Sequence, residues 1–179
     1  MRQPVVPNWN YNSFSVYLLA ELARETGDAA WRNSAVKKAR LGIYPGQLTL
    51  GNQKGRWFDG HNARLPYHYI IVRSLVSLAA ALEAGTPEHR QAKDALLLAL
   101  QSRNRDFITD GVANVDSAFE ALLLLEQYFP NSVGNIGDGQ QYEAFDALEA
   151  HCLSKFRAKS PPCAPGVWGR YLAYLRTAR

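Results

Sequence analysis

Residues 65–82, LPYHYIIVRSLVSLAAAL, decide the fold class. Ile70, Ile71, Val72, Leu75, Val76, Leu78, Ala79 and Leu82 fall on nearly every side of a helix of period 3.6. A helix that is apolar almost all round must be covered on most of its sides. Pro66 suits a first helical turn, where the N–H it lacks would have no partner. Gly85 ends the run, so the pattern predicts a buried helix over about 66–84.

The flanking segments read the same way. On the N-terminal side, SFSVYLLAELARET predicts a helix over about 13–26, stopped by Gly27. Asp28 can cap a second over about 29–41, in which Trp31, Ala35 and Ala39 recur at helical spacing. A long loop follows from Gly42 to about Arg64, with Pro45, Gly46, Gly51, Gly55 and Gly60. Within it GQLTLGN could make one short strand. On the C-terminal side, Thr86 and Pro87 supply an N-cap and an N1 proline for a helix over about 87–103. Asp116 opens a helix that runs to Phe129, with Ser117 and Glu120 at capping-box spacing. Further helices are expected over about 140–157 and, after SPPCAPG, over about 167–178.

Alternate helices thus begin near residues 13, 66 and 116, a hairpin-repeat spacing. The expected fold is all-α and a single domain: hairpins over about 13–41, 66–103 and 116–157, then a terminal helix. In such arrays the first helix of each hairpin lines the inside and the second the outside. The loops before the inner helices gather at one end and frame a cleft.

Composition narrows the function classes. The 179 residues carry 20 Lys/Arg against 16 Asp/Glu. The excess is uneven: residues 1–100 hold 12 against 7, and residues 101–179 hold 8 against 9. This favours an anionic partner, yet no dense Lys/Arg stripe or nucleic-acid-binding signature is present, so nucleic acid is not expected. No apolar run is long enough to span a membrane. MRQPVVPNWNYN lacks an apolar signal-peptide core, which implies a cytoplasmic protein or one whose leader has been removed. Cys152 and Cys163 can form one bridge, though none is required, and they lack zinc-ligand spacing. GNIGDG lacks EF-hand spacing, so neither metal nor cofactor is expected. Serine hydrolase, P-loop and zinc-protease motifs are missing.

Three loops would meet at the cleft. The first offers Asn8, Trp9, Asn10, Tyr11 and Asn12. The second, GRWFDGHNARLPYHY, offers Arg56, Trp57, Phe58, Asp59, His61, Asn62, Arg64, Tyr67, His68 and Tyr69. The third offers Asp110, Asn114 and Asp116. Such a mixture suits a carbohydrate: flat rings stack on sugars, while amides and arginines bond hydroxyls and carboxylates. In a first turn the helix dipole favours a neutral His68, which could accept a proton while a nearby tyrosine donates one. The plainer alternatives are a hydrogen-bonded structural histidine, tryptophan plugs at Trp9 and Trp57, and turn or cap roles for Asp59, Asp110 and Asp116.

NWNYNSF before one inner helix, and GRWFDGHNARLPYHYIIVRSLVSLAAAL before and through the next, resemble the α/α-toroid polysaccharide lyases, alginate lyases among them. The similarity covers about residues 8–82. It implies an α/α toroid, here incomplete or small because full toroids of this class use roughly twice as many helices. It also implies β-elimination on an acidic, uronate-containing oligo- or polysaccharide. Asn10 or Asn12, with Arg64, would neutralise the uronate carboxylate. His68 or His61 would be the base, and Tyr67 or Tyr69 the acid. Trp9, Trp57, Arg56, Asp59 and Asn62 would contact substrate. The chain departs from the family pattern at Tyr11 and Ser13, where a histidine is usual, at Ile70, where the catalytic tyrosine falls, and in the register of Arg64. The alternatives are a hydrolase pairing Asp59 with Asp110 or Asp116, a non-catalytic glycan- or peptide-binding scaffold, and a helical-repeat interaction protein that could pair with its own copy.

Overall fold

The computed structural model describes residues 8–59, 61–62, 64–109, 116–130, 150 and 153–154, with the side chains of 103–119 excepted. They form five α-helices: α1 (Trp9–Thr26), α2 (Ala29–Gly42), α3 (Leu65–Ala81), α4 (Pro87–Thr109) and α5 (Asp116–Tyr128). A single 3₁₀ turn, Tyr44–Gly46, follows α2. The all-α expectation holds, and the described residues contain no strand. GQLTLGN supplies only an isolated antiparallel bridge, Gln47 to Trp57. The helices expected over 140–157 and 167–178 lie outside the described residues, apart from helical Ala150, Leu153 and Ser154.

The boundaries correct the sequence reading in three places. α1 begins at Trp9 rather than near residue 13, so the asparagine-rich segment is helix and not loop. Trp9, Ser13, Val16, Ala20 and Ala23 continue one buried stripe, and that packing outweighs the weak helix propensity of asparagine. α3 stops at Ala81 because Leu82 turns extended. α4 runs on to Thr109, past the expected end near 103. The caps read from sequence are present. Asp28 accepts the Ala30 N–H at 2.8 Å, and the Thr86 hydroxyl accepts that of His89 at 3.2 Å.

α3 sits at the centre. It packs against α1, α4 and α5, while α2 packs on α1. This placement explains why α3 is apolar on nearly every side. Leu75, Val76 and Leu78 join Leu96 and Leu100 of α4 and Leu122, Leu124 and Leu125 of α5 in one core cluster. Each fully buried Leu or Ile stabilises the fold by about 1.5–3 kcal/mol.

Two polar contacts tie the row α1, α3, α5 together. Arg73 is the one charged residue between Leu65 and Leu82. Its Nη1 lies 2.6 Å from Glu120 Oε2, and its guanidinium stands 4.4 Å from the centre of the Tyr17 ring. Glu120, the acidic residue of the expected capping box, reaches Arg73. Farther along, the Tyr128 hydroxyl donates to the Glu21 carboxylate at 2.9 and 3.0 Å. Burial and that carboxylate push the phenol above the usual tyrosine range.

Candidate functional site

The first turn of α1, the loop before α3 and the first turn of α3 converge. Two tryptophans anchor the loop. Trp9 is seated on Gly46, where a Cβ would lie 2.4 Å from the indole, so only glycine fits. Its Nε1–H donates to the Phe58 carbonyl at 3.0 Å. Trp57 Nε1–H donates to the Ile43 carbonyl at 2.9 Å. Trp9 is 5% exposed and Trp57 1%, so neither offers a flat face to a sugar. Both act as plugs, the plainer of their two sequence readings.

A polar chain of contacts runs over these plugs. Asn62 is buried; its Oδ1 accepts the Asn10 N–H at 3.1 Å, and its Nδ2 donates to Asp59 Oδ2. The other oxygen of Asp59 accepts the His61 N–H at 2.6 Å. Asp59 adopts φ +105°, a region that costs a non-glycine residue energy and gathers at functional sites. The bond from the His61 N–H, helped by Asn62, holds the Asp59 carboxyl below the usual aspartate range. The His61 ring, exposed to solvent, stacks on Tyr67 with centroids 4.2 Å apart and planes 26° off parallel. Asn10, Asn62, Asp59, His61 and Tyr67 therefore form one connected unit. The Oδ1 atoms of Asn8 and Asn10 are buried without a hydrogen-bond donor among the described residues.

The structure separates the remaining sequence candidates. His68 and Tyr69 are fully buried. His68 Nε2–H donates to the Ala99 carbonyl of α4 at 3.0 Å, and its ring meets Trp57 and Tyr69 edge-on. No face of His68 or Tyr69 meets solvent, so the pair open to solvent at this end is the exposed His61 and the half-buried Tyr67. Arg64 is exposed at the N-cap of α3, and Arg56 is half-buried. Asn12 lies against Gly42, in the second turn of α1. Asp110 and Asn114 lie outside the described residues, as does the side chain of Asp116.

Of the aromatics offered by the first two loops, Phe58 and Tyr11 are the exposed ones, at 62% and 68%. Arg73 was not singled out from sequence, though its signal was present as the only charge in an apolar helix. Among the described residues, no group of three or more His, Cys, Asp or Glu side chains could hold a metal ion. No described helix is long and apolar enough to cross a membrane. Comparison with protein-family models, with curated proteins and with solved structures finds no match for this chain.

Proposed function

We propose that the loop before α3 and the first turn of α1 bind an acidic, uronate-containing glycan and cleave it by β-elimination. The observation that carries the reading is the stack of exposed His61 on half-buried Tyr67, with the His61 backbone held by Asp59 and Asp59 in turn by Asn62. The side-by-side packing of α1, α3 and α5 supports an incomplete α/α toroid as its frame.

Each residue then has a role suited to its position. Arg64, exposed at the start of α3, neutralises the uronate carboxylate and so makes the C5 proton more acidic. His61 removes that proton, and its ring nitrogens have no hydrogen-bond partner among the described residues. The electrons of the broken C–H bond form the C4–C5 double bond as the C4–O bond breaks. Tyr67 supplies a proton to the leaving oxygen. Asp59 is a positioning residue, because both its oxygens already hold His61 and Asn62. That use counts against a hydrolase built on Asp59. Phe58 supplies the flat apolar face that Trp57 withholds.

The test is ultraviolet absorbance with a panel of polyuronates. Wild type is expected to generate unsaturated uronate ends. His61→Ala should lose about 10²- to 10⁴-fold in rate, and Tyr67→Phe should also be slowed. A flat trace from folded wild type on every polymer would overturn the lyase reading. Binding without turnover would then favour a glycan-binding scaffold, a reading supported by the exposed Phe58 and Tyr11.

A further inference from the structure

α2 carries Arg32, Lys37, Lys38 and Arg40 and no acidic residue. Arg40 pairs with Glu88 at 2.8 Å. Arg32, Lys37 and Lys38 form no ion pair among the described residues. Lys37 and Leu41, one helical turn apart, stand on a crest between two grooves. The grooves differ in charge. The groove toward the α3–α4 turn, about 550 Å³, is lined by Glu83 and Glu88 as well as by cations. The groove between α1 and α2, about 390 Å³, holds Lys37 and Lys38 and no carboxylate.

The α1–α2 groove also has the other surfaces that an acidic sugar needs. Leu19 and Leu41 give apolar walls, and Asn12 and Ser34 give hydrogen-bonding groups. Its floor is set by Gly42, where a Cβ would lie 2.6 Å from the Asn12 side chain. From Asn12 to Leu19 it follows α1 for about 10 Å, at 1.5 Å per residue. Asn12 stands two residues past Asn10, so the groove starts at the same end of α1 as the polar cluster but on another side of the helix, and a ligand spanning both must pass around the head of α1.

We infer that the α1–α2 groove is an extended subsite for the anionic chain of a long acidic glycan, with Lys37 and Lys38 bonding its carboxylates. The inference rests on the glycan reading above. It adds a dependence on chain length. A short oligosaccharide fills the cluster at Asn10 and His61, and only a longer chain reaches the lysines.

The experiment compares wild type with the double variant Lys37→Gln/Lys38→Gln. Both lysines are exposed, so the variant should fold normally. Binding is measured for a long polyuronate at two salt concentrations and turnover for a uronate trisaccharide, with duplex DNA and phosphatidylserine vesicles as further probes. The expected result is polymer affinity weakened roughly fivefold or more, with a shallower salt dependence, while trisaccharide turnover is unchanged. Unchanged polymer affinity would overturn the inference, and trisaccharide turnover would still report on the glycan reading alone. Lysine-dependent polymer binding without any turnover would support the groove and fail the lyase. Lysine-dependent binding of DNA or vesicles, with none of polyuronate, would overturn the glycan assignment of the groove.

Discussion

His61 and His68 are seven residues apart, and their surroundings are opposite. His61 is exposed on a loop, its backbone held by Asp59 and its ring laid on Tyr67. His68 is sealed inside the protein, bonded to the Ala99 carbonyl and edged by Trp57 and Tyr69. The difference comes from the partner and not from the residue. α4 covers the face of α3 that carries His68, and a buried imidazole without a hydrogen bond would be costly. No element described here covers His61. The two tryptophans teach the same lesson, since each is spent on fixing the loop that presents His61.

The comparison can be broken most forcefully at the buried side. Trp57→Ala removes a filled site and a hydrogen bond, and should cost about 3–5 kcal/mol in denaturant unfolding. Activity should fall with the folded fraction. The histidines come next, and they should dissociate two readouts. His68→Ala is expected to lose about 2–4 kcal/mol of stability, from the cavity and the orphaned Ala99 carbonyl. The folded remainder should keep its turnover per molecule. His61→Ala should change stability by no more than about 0.5 kcal/mol while abolishing most turnover. If His68→Ala stays fully folded and inactive, the contrast between the two fails.

A smaller effect should appear with pH. The folded Asp59 carboxyl titrates below its unfolded value, so its contribution is present above the ordinary aspartate pKa. That contribution is lost as pH falls through the depressed folded value. Melting temperatures of wild type and Asp59→Asn between neutral pH and about pH 3 should therefore converge on acidification. Equal differences at all pH values would remove Asp59 from the support of His61. The smallest effect is expected at Arg40→Ala, since an exposed pair such as Arg40–Glu88 is worth about 0–1 kcal/mol.

The helical class was legible because α3 is apolar on nearly every side and its neighbours carry clear caps at Asp28 and Thr86. The start of α1 was not legible, since asparagines signal a loop until Trp9 is known to be buried. At the site, the right residue types were visible, but their sorting was not. Burial separates His61 from His68 and Phe58 from Trp57, and burial is decided by contacts such as that with Ala99, 31 residues beyond His68. The strained backbone of Asp59 was also hidden, because Asp-Gly suggests an ordinary turn.

The bond between Tyr128 and Glu21 bears on how the chain reaches this state. It joins residues 107 positions apart, far more than the short turn of either hairpin. Closing a long loop costs more entropy than closing a short one, and that cost precedes any gain from contact. The hairpins α1–α2 and α3–α4 are thus expected to form early and the Glu21–Tyr128 clasp late. Tyr128→Phe should accordingly speed unfolding and leave the folding rate nearly unchanged, a kinetic signature of a latch added to finished parts.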